Sequence, residues 1–437
     1  MQPALPPKMP NGTGGAGYAV VHLVSQEVTK DLIGPQVVDH MAWQRAAPGP
    51  DAPRRVAVAF LEPARSAATS RVRRRVAALG KRAPGVTVAL LPYVGRLGLR
   101  RNAALLARRV RALAGGERIV LHCRGESAGE WALALAPHLR DAGIVADIRG
   151  AWPEELLFLR GFDGVDEADA PGRRDYEAAL AKLRTVVSAA GSVISVSAGM
   201  LEWLQSLGVP DGKLAYVPCC VSRPAFSAAD RARIRRDLGV SEKLVVAYAG
   251  TVTRYQHLGD GVIPFFCALR EQSARVHLLC LTNDVDHMRA LLAGAQVAAD
   301  DVTVVRVDQL ETAAYLSAAD AGLLLRAPSR MNRFSQPTKL GEYLASGVPV
   351  IVSRGTGIVG ELVEANCAGI EVDWFSLDHA ARVREAARVA HHIASRGEAL
   401  RAGALALCER EFSWSTYVNV VRQAYRRSLR NIEQSVE

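Results

Sequence analysis

The sequence predicts an α/β protein: two doubly wound, Rossmann-like parallel-sheet domains facing each other across a cleft. Three observations predict it. Short apolar runs alternate with longer stretches of helical periodicity, as repeated strand–helix–strand units require. The alternation breaks once, in the proline-interrupted, charged stretch 214–240, and restarts with the clean strand pattern KLVVAYAGT (243–251). The length, 437 residues, suits two or three domains that each bury a core.

Taken in order, YAVVHLVS (18–25) reads as a strand and GPQVVDHMAWQRA (34–46) as a helix opened by Gly-Pro. RVAVAFLEP (55–63) and VTVALLPY (86–93) read as strands around a helix over 67–83. The stretch 99–116 is an amphipathic helix with glycine at its end, as a C-cap would be. RIVLHCRG (118–125) and GIVADIRG (143–150) are strands that each end in Arg-Gly, and 191–209 is a strand followed by a helix. Beyond the break, strands are expected at 276–282, 302–307, 321–327, 348–353 and 369–373, and helix over 378–431. The domain boundary is placed at 226. Residues 1–16, rich in Pro and Gly with no apolar core behind a basic start, read as a floppy tail rather than a signal peptide.

Composition narrows the function. No apolar stretch approaches the roughly 20 residues needed to span a bilayer. Seven cysteines are scattered without a zinc-ligand spacing, which points to buried cytosolic thiols, a cytoplasmic location and no metal. The formal charge is +10, and residues 54–118 carry 16 Lys or Arg against 2 Asp or Glu, with Arg71, Arg73, Arg74, Arg75, Arg100, Arg101, Arg108, Arg109 and Arg111 among them. Such a basic face suits an anionic membrane surface, the inner face of the cell membrane, or a polyanionic acceptor. A nucleic-acid partner is not expected, because no aromatic-interleaved basic motif accompanies the charge. Only 7 of the 54 basic residues are lysine, so an arginine-favouring codon usage accounts for part of the pattern.

The candidate site collects at strand ends in the second half, where ligands bind in open α/β sheets. Gly250 and Thr251 form a tight strand-to-helix turn, where a glycine lets a ligand approach the backbone, and Arg254 beyond it suits phosphate oxygens. Arg326 is an isolated charge ending a buried run, and Asn332 lies in the following loop. In SQPTKLGEYLASGVPVIVS (335–353), Pro337 suits the first turn of a helix whose free N–H groups favour an anion, and Lys339 and Glu342 share a face. Together these residues suit a nucleoside diphosphate. Arg254 and Lys339 would meet the phosphates, and the two Glu342 oxygens would accept from the two ribose hydroxyls. The plainer alternative for the last pair is a solvated i,i+3 contact at a helix start. In the first half, His122 and Asp147 lie near strand ends, and Arg149, Trp152 and Glu155 follow the strand GIVADIRG, where an acceptor could lie. His122 reads equally as a packed core histidine. The Asp-x-Asp of NDVDH (283–287) reads as a solvated loop, and GTGG (12–15) precedes any strand and is no phosphate loop.

LLLRAPSRMNRFSQPTKLGEYLASGVPVIVS, with YAGTVTRYQ before it and VPCCVSRPAF at the junction, resembles glycosyltransferases of family 4, of the GT-B type. DIRGAWPEE (147–155), VISVSAGM (193–200) and FSWSTY (412–417) fit the same family, and the likeness covers most of 118–430. It implies transfer of a sugar from a nucleotide sugar, usually with retained configuration, with no essential metal and no other cofactor. The acceptor would be a glycan, a lipid-linked sugar or a small molecule, as in polysaccharide biosynthesis. It also implies that 411–437 returns to the N-terminal domain, leaving 227–410 as the nucleotide-sugar domain and 17–226 as the acceptor side. By position, Glu342 matches the ribose-binding second glutamate of the family's E-x7-E motif, and Lys339 and Arg254 match basic positions beside the diphosphate. The first glutamate falls on Phe334, so Ser335 and Gln336, with Thr338 nearby, are the candidates for sugar contacts. The rival readings are a nucleotide-sugar epimerase or hydrolase on the same plan, and a non-catalytic nucleotide-binding relative.

Overall fold

The computed structural model describes residues 17–222, 225–309 and 311–436. The tail 1–16, and GTGG within it, lies outside them. The chain forms two compact units; one ends at Ser222 and resumes at Trp414, and the other, which ends at Ser413, lies between.

The first unit is built on seven strands: β1 (Tyr18–Ser25), β2 (Arg55–Pro63), β3 (Thr87–Tyr93), β4 (Arg118–Arg124), β5 (Gly143–Ile148), β6 (Ser192–Ser195) and β7 (Leu214–Tyr216). All pair in parallel, in the order β3-β2-β1-β4-β5-β6-β7. The order reverses direction between β1 and β4. β1 is buried at every position, as expected of a strand covered on both faces. β7 falls in the stretch read as a break, because three residues at a sheet edge carry too little pattern to register.

The helix Trp414–Val436 closes this unit. Trp414 Nε1 donates to the Pro35 carbonyl at 3.2 Å, and Arg422, 1% exposed, donates to the carbonyls of Gln44, Ala47 and Pro48. The three carbonyls engage both terminal nitrogens of the guanidinium, which lowers the cost of burying that charge, while Nε is left without a hydrogen-bond partner. The helix presses onto glycines: a Cβ on Gly143 would lie 2.6 Å from Ser428 Oγ, and one on Gly191 would lie 2.6 Å from Ser428 Cα.

The second unit has six parallel strands: β8 (Leu244–Ala249), β9 (Val276–Leu281), β10 (Val302–Val305), β11 (Ala321–Leu324), β12 (Val350–Ser353) and β13 (Gly369–Val372). Their order is β10-β9-β8-β11-β12-β13, with its reversal between β8 and β11. The expected closing helical stretch is two helices, His379–Glu411 and Trp414–Val436, parted at Phe412–Ser413. Among the described residues no helix is long and apolar enough to cross a membrane.

Candidate functional site

In doubly wound sheets the crevice lies at the carboxyl ends of the two strands where the order reverses. In the second unit those are β8 and β11, and their ends carry Gly250 and Arg326. Gly250 has φ 142°, a conformation that L side chains rarely adopt, and a Cβ there would stand 3.1 Å from Lys339 Nζ. The backbone thus calls for glycine, and its missing side chain leaves room for the lysine.

Lys339 is brought there by Tyr343. The helix Thr338–Ala345 lies over the sheet with the Tyr343 ring against Gly322 of β11, where a Cβ would lie 2.7 Å from ring carbons. The Tyr343 hydroxyl accepts from the Ala249 N–H at 2.9 Å. One side chain therefore ties the helix to both reversal strands. Lys339, on the helix's first turn, is 6% exposed; its ammonium donates to Gln256 Oε1 at 2.7 Å and lies 4.1 Å from the centroid of the Tyr248 ring. The reading of Lys339–Glu342 as a solvated pair is thereby corrected. Burial pushes the ammonium well below its ordinary range, Arg326 pushes the same way, and Glu342 pulls back. Glu342 is partly buried, and that burial pushes its carboxyl up to about 7 against the pull of Lys339. It is the fifth residue of its helix, beyond the first turn where the dipole favours a carboxylate.

Pro337 stands one residue ahead of that helix, at the N-cap, and Thr338 is the first helical residue. Arg326, 5% exposed, donates to Ser335 Oγ at 3.3 Å and lies 5.8 Å from the centroid of the Tyr255 ring. Its backbone is locked to β12, the N–H donating to Ser353 Oγ at 2.7 Å and the carbonyl accepting from that hydroxyl at 2.6 Å. Asn332 is on the short helix Arg330–Phe334, not in a loop; fully buried, it donates to the Ala327 carbonyl at 2.7 Å. Phe334, at the position of the first family glutamate, is 6% exposed and packs as an apolar side chain. Ser335 and Gln336 are half-buried beside it, and Thr251 is exposed. Arg254 is exposed on the one-turn helix Arg254–Gln256, whose last residue is the Gln256 that meets Lys339. The Asp-x-Asp candidate has a structural use, since Asp284 Oδ2 accepts from the Val252 N–H at 2.8 Å.

Gln256, Tyr248 and Tyr343 were missed in the sequence. Tyr343 left a trace, because a glycine inside the apolar run of β11 marks a close approach.

In the first unit the reversal lies between β1 and β4, which pair His22 with His122 in register. His122 and Asp147 are both fully buried; His122 Nε2 is 3.3 Å from Asp147 Oδ2, and His122 Nδ1 is 2.9 Å from the Tyr425 hydroxyl. Arg149 Nε lies 2.7 Å from Asp147 Oδ1, and Nη1 donates to the Pro218 carbonyl at 3.3 Å. Burial works to raise the Asp147 carboxyl, but Arg149 and the His122 contact outweigh it and hold it well below the usual carboxylate range. Trp152 and Glu155 lie on the next helix, Trp152–Arg160, with the indole exposed and Glu155 half-buried. The fold adds two residues that sequence spacing did not connect: the His22 ring stacks on His122 at 4.1 Å, and the His40 ring stacks on Trp414 at 4.3 Å.

No protein-family model matches the chain, and no curated protein matches it in sequence. Solved structures do match over nearly the whole length. HepE from Anabaena in complex with UDP is 14% identical with a TM-score of 0.64, over 93% of this chain and 98% of that one. A sucrose-phosphate synthase from Thermosynechococcus elongatus is 17% identical at 0.65, over 93% and 98%. An α,α-trehalose 6-phosphate synthase from Burkholderia multivorans is 13% identical at 0.62, over 97% and 100%. At such identities the likeness establishes the fold, two Rossmann-like parallel-sheet units of the kind found in GT-B glycosyltransferases.

Proposed function

We propose that the chain is a retaining, family-4-type glycosyltransferase that moves a sugar from a nucleoside-diphosphate sugar to an acceptor hydroxyl, with no metal needed at the phosphates. The observation that carries this reading is Lys339, held beside the side-chain-free Gly250 at the β8/β11 reversal, with Glu342 one turn along the same helix. A desolvated lysine facing a glycine turn is costly to keep unless an anion uses it. The HepE complexes hold UDP, or UDP and glucose, or UDP-glucose, in a protein of the same fold, which supports a nucleotide-sugar donor here.

The leaving nucleoside diphosphate develops negative charge as the sugar bond breaks. Lys339, with Arg254 from the exposed turn, stabilises that charge more in the transition state than in the ground state, which is where rate is gained. The Gly250–Thr251 turn and the Pro337–Thr338 helix start frame the phosphates. Glu342 takes the ribose diol, while Arg326 and Asn332 fix the loop that presents Ser335 and Gln336 to the sugar. On the acceptor side, Arg149, Trp152 and Glu155 line the approach, and the buried His122–Asp147 pair holds Arg149 in place. The acceptor is a glycan or a lipid-linked sugar. The helices Ser70–Arg82 and Gly98–Ala114 lie on opposite faces of the sheet, the first packed with the helices Asp39–Ala46 and Trp414–Val436 and the second against the helix Gly125–Leu135. The helix Gly98–Ala114 presents Arg100, Arg101, Arg108, Arg109 and Arg111 to solvent, with Leu105 66% exposed among them. That helix suits peripheral docking on the anionic inner membrane surface. Flotation with anionic vesicles should then be lost at high salt, and equal flotation with neutral vesicles would sink the docking.

The test of the activity is transfer of labelled sugar from UDP-, GDP-, ADP- and CDP-sugars to mixed glycan and lipid-linked acceptors. Acceptor-dependent nucleotide release, at least about a hundredfold slower in Lys339→Met, is expected from the loss of one transition-state donor. Equal release without acceptor would favour a hydrolase, and a converted free nucleotide sugar an epimerase.

A further inference from the structure

The first unit buries three imidazoles with more hydrogen-bonding capacity than its partners satisfy. His22 on β1, His40 on the helix Asp39–Ala46 and His122 on β4 are each 0% exposed, and one ring nitrogen from each lies within 4.8 Å of the other two. Neither nitrogen of His22, nor Nδ1 of His40, has a hydrogen-bond partner. Fully buried polar atoms are nearly always paired, and a set left over together in one place calls for a ligand. We propose that His22, His40 and His122 bind a borderline divalent transition ion of the Zn2+ class, as a structural tie at the β1/β4 reversal.

The donor set fits. Three imidazoles are a common donor set for Zn2+, which leaves a fourth position to complete the tetrahedron. Asp147, with Oδ2 3.3 Å from His122 Nε2, stands beside the rings as a negative charge. The remaining nitrogen of His122 is engaged as such sites require, Nδ1 meeting the Tyr425 hydroxyl at 2.9 Å. His40 Nε2 lies 3.3 Å from Gln44 Nε2, an amide donor, so His40 binds through Nδ1 only with that amide turned to present Oε1, which has no partner where it stands. Arg149 Nε donates to that same Asp147 Oδ2 at 2.9 Å and stands 2.7 Å from Oδ1. His22 must turn, since its ring lies within 15° of parallel to His122 and two parallel imidazoles cannot both point at one ion. No hydrogen bond to its ring opposes the turn. Full burial closes the site to substrate, so the ion contributes stability rather than chemistry, joining β1, β4 and the helix of His40.

The experiment uses the full, untagged chain incubated with Zn2+ or Co2+ and freed of excess ion. One ion per chain by elemental analysis is expected, with the visible absorption of tetrahedral Co2+ and a melting temperature that falls on chelation. His22→Phe and His40→Phe should each lose the ion. Tyr425→Phe should weaken it about 10- to 100-fold. The double variant of the surface pair, His391→Ala with His392→Ala, should keep it. No stoichiometric ion in the wild type, or an ion retained in His22→Phe, overturns the proposal. If the phenylalanine variants do not fold, anomalous diffraction from metal-soaked wild-type crystals decides: a peak among the three rings supports the site, and its absence there refutes it.

Discussion

The two strand-order reversals are built on the same topology and hold opposite chemistry. At β8/β11 a glycine clears space in front of an almost buried lysine, a carboxylate stands one turn along the lysine's helix, and Arg254 and Arg326 follow the ends of the two strands. At β1/β4 the same position is filled with histidine rings, sealed by Trp414 and Tyr425 from the terminal helix, and the nearby Asp147 already has its arginine. The difference separates an open site from a sealed one. In the first case charge is desolvated beside a gap in the side-chain wall; in the second the Asp147 charge is matched by Arg149 and the imidazoles beside it are closed to solvent.

The comparison is most easily broken at Asp147. Asp147→Asn leaves Arg149, only 9% exposed at its side chain, without its carboxylate. Breaking such a buried pair costs about 3–5 kcal/mol. Denaturant unfolding should show a loss of that order, with nucleotide affinity unchanged under conditions where the variant is folded. Lys339→Met should do the reverse. Sugar transfer falls about 10²–10³-fold, while the melting temperature holds or rises, because a buried charge has been replaced by an apolar chain of similar length.

Glu342 sharpens the same contrast through pH. Its carboxyl, raised to about 7, is largely protonated at pH 6 and ionised at pH 8. If only the carboxylate accepts both ribose hydroxyls, nucleotide affinity measured by calorimetry rises about tenfold from pH 6 to pH 8. Glu342→Gln should flatten that rise, and a persisting slope would assign it elsewhere. The smallest effect is expected at Arg254. Exposed on its turn, it works through solvent; Arg254→Ala should cost only a few-fold in donor affinity, with a shallower salt dependence.

Much of this was legible in the sequence, for a physical reason. Strands buried on both faces are written as apolar runs, so β1, β2, β4, β5 and β8 stand out, and the residues just past their ends are candidates by position alone. Lys339 and Glu342 could be placed on one helix face from their spacing. That Lys339 is buried could not, because its burial comes from Tyr248 and Gln256, some eighty to ninety residues earlier, and from Tyr343 reaching across the sheet. The histidine cluster was illegible for the same reason. His22, His40 and His122 match no local ligand spacing, and only the parallel register of β1 with β4 sets the first against the third. β7 was lost because three residues at an edge carry no period.

The account stands on nucleotide binding at the β8/β11 reversal, and a thermal-shift panel of UDP, GDP, ADP and CDP on wild type, Glu342→Ala and Asp147→Asn tests it most directly. A ligand that binds only the folded state stabilises it by about 2.7 kcal/mol at a hundred times its Kd. One nucleotide should raise the melting temperature of wild type and of Asp147→Asn, and leave Glu342→Ala where it was. No shift with any nucleotide, or an equal shift in Glu342→Ala, would contradict the account.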